Sequence, residues 1–308
     1  ALGEGVAKIK VTSNPKEAAL HGELMVCTVP AYGQRDVARQ LSPFLQKHHV
    51  IFLTPGTCGT FEFHKALRQK IRLEERRPLI GETTTLPYGA RMIDSNTVYI
   101  SATVARRSGV LRVASFPSKR TSDLIDVIEK IYRVKEAKNI LETGLLNQNS
   151  IIHPPAVLLN LESIKNSGWK CNIYERGYSD CALNLIDCLD AEKKAVCKSY
   201  SIDPVSVDDI YQEYGLGSIR NRQDRRDLPQ KVQERYLEED LPFGLGLIAS
   251  AANVASVKTP VCNSFFQILS GTMQKNYIKL SRSLEQYGIS KNDYHRIKTI
   301  LSEGWNLT

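Results

Sequence analysis

The strongest constraint on the fold is the order of short apolar runs in the first third of the chain. Three runs of the buried-strand type, residues 23–30, 50–53 and 78–81, alternate with segments of helical periodicity. Val37, Leu41 and Leu45 share one helical face, and a second helix is predicted over residues 60–69. This β-α-β-α-β order predicts a parallel sheet with right-handed crossovers.

The pattern changes in the rest of the chain. Residues 97–104 and 110–114 indicate two further strands, for which a hairpin is one possible pairing. After Ser122 the periodicity is helical almost to the end, with a predicted cap at Ser179 and a predicted capping box at 206–209. We therefore predict an α/β part over residues 1–139 followed by an all-α part over residues 140–308.

Such an arrangement leaves a cleft at the carboxyl ends of the strands, where open α/β sheets bind ligands. Three loops rich in Gly, Pro and Thr, residues 29–32, 54–57 and 81–88, follow the predicted strands. They can bring backbone amides and hydroxyls close to a ligand. Ordinary turn chemistry explains each loop equally well when it is taken alone.

One histidine lies in a setting suited to chemistry. His153 follows an apolar, helical run and is followed by Pro154 and Pro155, so we expect the helix to kink or break just after it. Asn149 lies four residues earlier, on the same helix face. A titratable group at a helix break can donate a proton near neutral pH, whereas the alternative is a hydrogen-bonded core histidine without a chemical role.

A second polar segment follows at residues 235–243. Arg235 is a planar fork suited to a carboxylate, and Asp240 could orient an imidazole. A surface cluster of salt bridges is the alternative interpretation. Residues 244–249 fit the letters G-x-G-x-x-A, but no strand precedes them, so they fail the structural condition for a dinucleotide fingerprint.

Composition narrows the remaining classes of function. The chain has 308 residues, a net charge of +8 and 42% hydrophobic residues, with no apolar run long enough for a membrane span. The basic run at 220–227 contains acids and no aromatic residues, which favours a solvated loop over a nucleic-acid site. Seven cysteines without a C-x-x-C predict reduced thiols and a cytoplasmic protein. Cys181, Cys188 and Cys197 are predicted to be core residues, and no metal site is expected because no histidine accompanies them.

Taken together, these segments resemble the octopine/nopaline (opine) dehydrogenases from about Val11 to Tyr287. The residues that carry the resemblance are Val29-Pro30-Ala31, Pro55-Gly56, 82–88, 149–160 and 235–244. The resemblance implies a Rossmann-like dinucleotide-binding domain followed by a helical domain. It also implies an NAD- or NADP-dependent oxidoreductase of amino acid metabolism, which condenses an amino acid amine with a 2-oxo acid such as pyruvate and reduces the imine by hydride transfer.

The resemblance also implies roles for individual residues. His153 corresponds to the family's catalytic acid/base, with Asp240 as its acidic partner, and Arg235 to the residue that binds a substrate carboxylate. Asn149, Thr85 and Tyr88 are the further candidates for substrate contacts. The candidates for contact with the cofactor are Val29, Pro30, Ala31, Pro55 and Gly56.

The sequence departs from the family at its start. Roughly the first sixty residues of the family pattern have no counterpart, an estimate scaled from a β-α-β unit of about thirty residues. This part includes the first strand and the G-x-G-x-x-G/A turn, so an N-terminally shortened sheet is expected. Three functions therefore stay open. The chain is an opine-type dehydrogenase, a non-catalytic ligand- or partner-binding remnant without cofactor binding, or a reductase of a plain 2-oxo acid.

Overall fold

The computed structural model of the protein describes residues 5–68, 77–101, 109–169, 173–220 and 235–305. Within these ranges the strands are β1 Leu24–Cys27, β2 Val50–Leu53, β3 Leu79–Thr83, β4 Gly89–Met92, β5 Val98–Ser101, β6 Leu111–Ser115 and β7 Val134–Glu136. The α-helices are α1 Pro15–His21, α2 Gln34–Leu41, α3 Thr60–Arg68, α4 Thr121–Ile128, α5 Ile140–Leu145, α6 Asn149–Leu158, α7 Leu161–Asn166, α8 Ile173–Arg176, α9 Asp180–Ser199, α10 Val207–Glu213, α11 Arg235–Glu238, α12 Gly246–Val254, α13 Pro260–Met273, α14 Tyr277–Leu280 and α15 Tyr294–Glu303. A π-helix spans Asp240–Leu245. Short 3-10 helices occupy Ala31–Gly33, Ser118–Arg120, Leu284–Tyr287 and Lys291–Asp293.

The main sheet has the order β1-β2-β3-β6-β7. β1, β2 and β3 are parallel, as predicted, whereas β6 is antiparallel to β3 and parallel to β7. The predicted hairpin between 97–104 and 110–114 is wrong. β5 pairs with β4, and β6 inserts beside β3. All five residues of β6 are buried, and only a position inside the sheet covers both faces of such a strand.

β2 shows why the sheet lies between two hydrophobic layers. Its four apolar residues are all buried and alternate between the two faces. Phe52 joins the large core shared with the helical part, whereas Ile51 and Leu53 pack with α2 and α3. β1 is less buried than the sequence predicts, since it lies at the sheet edge and leaves Val26 43% exposed.

The helical part follows β7. Ser179 caps α9, and Ser206 and Asp209 form the predicted capping box at the start of α10. A buried ion-pair network ties this part to the sheet, because Arg112 on β6 donates to Glu142 on α5 at 2.8 Å and to Glu213 on α10 at 2.9 Å. The fold thus fixes the carboxyl ends of the strands against the helices. The division at residues 139 and 140 remains a prediction.

Candidate active site

α6 carries His153 and runs through both prolines. Pro154 and Pro155 lack the N–H groups that would bond the carbonyls one turn earlier, yet the helix continues to Leu158. The expected break after His153 is therefore wrong. Packing holds the segment in place, because every residue from Ser150 to Val157 is buried.

Asp240 is brought to this helix by the π-helix. Pro242 has no N–H to continue the α-helical ladder after α11, and the chain widens into a π-turn that begins at Asp240. Such turns are rare and are found frequently at functional sites. Here the turn directs the Asp240 carboxylate at α6.

His153 and Asp240, 87 positions apart, form a buried pair. His153 Nδ1 lies 2.7 Å from Asp240 Oδ2, and the two residues are 2% and 7% exposed. A carboxylate oxygen accepts, so Nδ1 carries the proton and donates it. This arrangement leaves Nε2 as the acceptor of the neutral imidazole, and it stabilises the imidazolium that forms when Nε2 takes up a proton.

Two tyrosines that the sequence reasoning did not single out complete the surroundings of the imidazole. The Tyr174 hydroxyl lies 2.6 Å from His153 Nε2, and the Tyr236 ring stacks on the imidazole with centroids 4.0 Å apart. Burial raises the pKa of the Tyr174 hydroxyl well above its ordinary range, so the neutral phenol donates to Nε2. Tyr236 directly follows Arg235, which is the signal that could have identified it.

The G-x-G-x-x-A letters at residues 244–249 have a packing role. A Cβ on Gly244 would lie 1.8 Å from the Ser150 hydroxyl oxygen, and one on Gly246 would lie 2.7 Å from Ser281 Cβ. At Gly244 the missing side chain lets the π-helix approach α6, which carries His153, whereas Gly246 lets α12 approach Ser281. The segment lies in helices, as the lack of a preceding strand predicts.

The candidate cofactor loops lie together at the carboxyl ends of β1 and β2. Val29 and Pro30 follow β1, and Ala31 donates its N–H to Glu239 Oε1 at 2.9 Å. Pro55 and Gly56 follow β2, and the Gly56 N–H donates to Thr83 O at 3.1 Å. A Cβ on Gly56 would lie 2.2 Å from Glu82 Cβ, so glycine is needed for this close approach.

The Glu82 side chain holds the loop that follows β2 by hydrogen bonds. Its fully buried carboxylate accepts from the Cys58 N–H at 2.8 Å, the Thr60 N–H at 3.2 Å and the Thr143 hydroxyl at 2.8 Å. Burial raises the pKa of this carboxyl, although these donors oppose the shift. Glu82 thus joins the β2 loop to α5 and is a structural residue of the site.

The remaining candidates lie around these two centres. Asn149 is half-buried one turn before His153, and Arg235 begins α11 beside Tyr236. Thr85 and Tyr88 follow β3, where Tyr88 packs against Tyr132 with ring centroids 5.8 Å apart. Their roles as substrate contacts remain predictions.

Several other expectations concern the surface and the thiols. Cys181 and Cys188 are exposed, so their placement in the core is wrong, whereas Cys197 is buried as predicted. The basic residues that follow Arg220 lie outside the described ranges, and so does Cys171. In the described part of the chain, no group of His, Cys, Asp and Glu is arranged to hold a metal ion. Within the same ranges no helix is long and apolar enough to cross a membrane.

The strand-end edge has features that fit part of a dinucleotide. Thr54 Oγ1 and Gln34 Oε1 are buried at the β2 loop and have no hydrogen-bond partner among the described residues. Unsatisfied buried polar atoms are rare and call for an explanation such as a polar ligand. The loops at residues 29–31 and 54–56 would line the cofactor at this edge.

Comparison with known proteins agrees with this geometry. Residues 136–273 match the family described as NAD/NADP octopine/nopaline dehydrogenase, alpha-helical domain. The opine dehydrogenase of Arthrobacter sp. (strain 1C) is 26% identical over 291 residues, which cover 91% of this chain and 79% of that protein. Over 91% of its length the chain is similar to an opine dehydrogenase, and its helical part matches the helical domain of that family.

Solved structures share the fold. Octopine dehydrogenase with NADH and pyruvate superposes with a TM-score of 0.68 at 18% identity, covering 96% of this chain and 81% of that one. NADP+-bound yersinopine dehydrogenase gives 0.62 at 14% identity, with 96% and 82% covered. The resemblance and the fold implied by the sequence are therefore confirmed.

Proposed function

We propose that this protein is an NAD(P)H-dependent opine dehydrogenase, which condenses the amine of an amino acid with a 2-oxo acid and reduces the imine. The observation that carries the proposal is the buried His153–Asp240 pair, built by a π-turn in a chain that resembles this family. Relatives supply the reaction class. The octopine dehydrogenase structures hold NADH with pyruvate, L-arginine or agmatine, and these ligands support small-molecule substrates for this chain.

His153 would act through Nε2 as the acid/base. Condensation requires a proton to be delivered to the departing oxygen of the 2-oxo acid, and an ammonium group must lose a proton before its nitrogen attacks. Asp240 holds the ring by Nδ1, so that Nε2 keeps one direction throughout. When Nε2 takes up the proton, the carboxylate at 2.7 Å stabilises the charge in a site that excludes water.

In this structure the Tyr174 hydroxyl is hydrogen-bonded to Nε2 of His153. This hydroxyl at 2.6 Å takes the position that a substrate oxygen or nitrogen needs, so we propose that substrate binding displaces it. Tyr236 covers one face of the imidazole and keeps water from it. Arg235 would bind a substrate carboxylate bidentately, with Asn149, Thr85 and Tyr88 as the other substrate contacts.

NADH or NADPH, when bound, supplies the hydride for the imine carbon. In the described part of the chain Val29, Pro30, Ala31, Pro55 and Gly56 would line its site, at the carboxyl ends of β1 and β2. These residues would fix one edge of the cofactor relative to His153.

The test is NAD(P)H oxidation by the purified full-length protein with pyruvate and each amino acid in turn. We expect turnover to require both substrates, and we expect His153→Ala to lose most activity while still binding NAD(P)H. Turnover with the 2-oxo acid alone would favour a plain 2-oxo acid reductase. Failure to bind either cofactor would favour the ligand-binding alternative.

A further inference from the structure

A buried arginine outside the predicted site connects the two centres described above. Arg282 follows α14, is 2% exposed, and donates from Nη1 to Thr57 O at 2.7 Å and to Gly56 O at 3.2 Å. Its Nη2 donates to Ala31 O at 3.1 Å. One planar guanidinium therefore spans the loops that follow β1 and β2.

The same residue is anchored to the π-helix. The backbone N–H of Arg282 donates to Pro242 O at 2.9 Å, and its guanidinium lies 5.0 Å from the centroid of the Phe243 ring. Pro242 is two residues from Asp240 in the same turn. A shift of this turn would therefore reach both the carboxylate that orients the histidine and the arginine that holds the loops.

A second contact reaches the β1 loop from the same turn. Glu239, the residue before Asp240, accepts the Ala31 N–H, while Arg282 binds the Ala31 carbonyl. The backbone N–H and the carbonyl of Ala31 are thus both held by side chains. Glu239 directly precedes the π-helix, and the Arg282 backbone is hydrogen-bonded to it. We name this set, Ala31 with Glu239 and Arg282, the loop clamp.

The Arg282 guanidinium has no direct ion pair among the described residues, and the buried Glu62 carboxylate acts on its charge only through space. The hydrogen bonds of the guanidinium go to neutral carbonyl oxygens, and its Nε has no partner among the described residues. Burying a charge without a hydrogen-bonded counterion is expensive. A fork-shaped donor is required only if several carbonyls must be held at fixed separations.

We infer that Arg282 is a positioning residue that sets the cofactor loops at a fixed distance from the His153–Asp240 pair. The inference rests on the proposed function, because the loops matter to catalysis only if they line a cofactor. Cofactor affinity and turnover then depend on Arg282, although this residue touches neither the substrate nor His153.

The experiment compares Arg282→Lys and Glu239→Gln with wild type in the full chain. The lysine variant keeps the charge but loses the fork, and the glutamine variant keeps the shape of the side chain but loses the carboxylate. Arg120→Lys is the matched control, since Arg120 also donates to two backbone carbonyls, those of Arg77 and Pro78, away from the site. Three quantities are measured: NAD(P)H dissociation constants by fluorescence, amide hydrogen exchange over residues 31–33 and 56–59, and steady-state kinetics.

We expect both site variants to exchange faster in these two loops without cofactor. We also expect weaker NAD(P)H binding by about three- to tenfold, because binding must then order the loosened loops, and a lower kcat at saturating cofactor. KM for the 2-oxo acid should stay within about twofold of wild type, because these variants leave the contacts of its proposed site in place.

Folded variants with wild-type loop exchange and cofactor affinity would overturn the inference, as would equal losses in Arg120→Lys. If wild type itself neither binds nor oxidises NAD(P)H, the proposed function fails, and the inference fails with it. The wild-type arm of the experiment therefore separates that result from failure of the loop clamp alone.

Discussion

Replacing the Asp240 carboxylate by an amide is the most direct test of the buried pair. Asp240→Asn keeps the size of the side chain and can keep one hydrogen bond to His153 Nδ1. It removes the negative charge that stabilises the imidazolium. Because the two side chains are only 3% and 8% exposed, water cannot replace that charge.

The magnitude follows from the geometry. With Nδ1 and Oδ2 2.7 Å apart, the centres of the two delocalised charges are separated by roughly 4 Å. At an effective dielectric constant of about 20, their interaction is about 4 kcal/mol. One factor of ten in rate corresponds to about 1.4 kcal/mol, so kcat/KM should fall by roughly a thousandfold if the full charge develops in the transition state.

The assay is kcat/KM for NAD(P)H oxidation with the preferred amino acid and 2-oxo acid, together with the NAD(P)H dissociation constant. The control is Asp36→Asn, which changes an exposed carboxylate on α2 that has only a weak partner at 3.8 Å. Cofactor binding should be unchanged in both variants. A folded Asp240→Asn enzyme within about threefold of wild type would refute the reasoning, since general acid–base groups contribute at least about a hundredfold.

Three further predictions concern the surroundings of the pair. Gly244→Ala places a Cβ 1.8 Å from the Ser150 hydroxyl oxygen, so unfolding by urea should show a loss of about 1–3 kcal/mol, and adding Ser150→Gly should restore part of it. Tyr174→Phe frees Nε2 of the histidine, so KM for the 2-oxo acid should fall up to about tenfold with kcat within threefold; a hundredfold drop in kcat would mean that the hydroxyl itself donates to substrate. Burial alone would raise the pKa of Glu213, but the hydrogen-bonded Arg112 guanidinium lowers it below the ordinary 4.5. Its stabilisation is therefore present above that pH and is lost as pH falls through the lower folded-state pKa. Glu213→Gln should flatten this acid part of the stability curve in urea titrations, and an unchanged slope would contradict the assignment.

Local sequence patterns were sufficient for the elements whose burial is uniform. Residues 50–53 and the capping box at 206–209 appear as predicted, because each depends on neighbouring residues alone. The pairing of residues 97–104 was predicted wrongly, since strand pairing depends on contacts distant in sequence. The apolar residues of β5 suggested a partner in β6, yet Tyr99 is 48% exposed in a separate hairpin.

The residues of the candidate site could be predicted from the sequence to different degrees. The residues alone did not distinguish Asp240 from a surface carboxylate, and only the family resemblance joined it to His153. Tyr174 could not be found, because nothing in its neighbourhood indicates that a short helix 21 positions later brings it to Nε2. Arg282 has the same property: it stands in an ordinary polar segment, and its burial arises from the approach of loops about 225 to 251 positions away.

The π-turn at Asp240–Leu245 also limits which changes in chain length this fold can accept. An α-helix advances about 100° per residue, whereas a π-turn uses more residues for the same revolution. Deleting a single residue from the turn would convert it to an α-turn and rotate Asp240 by roughly that angle relative to α12. The carboxylate would then point away from His153 although every catalytic side chain were still present. Relatives or designed variants with a one-residue gap in this segment should therefore be expected to lack the carboxylate that orients His153.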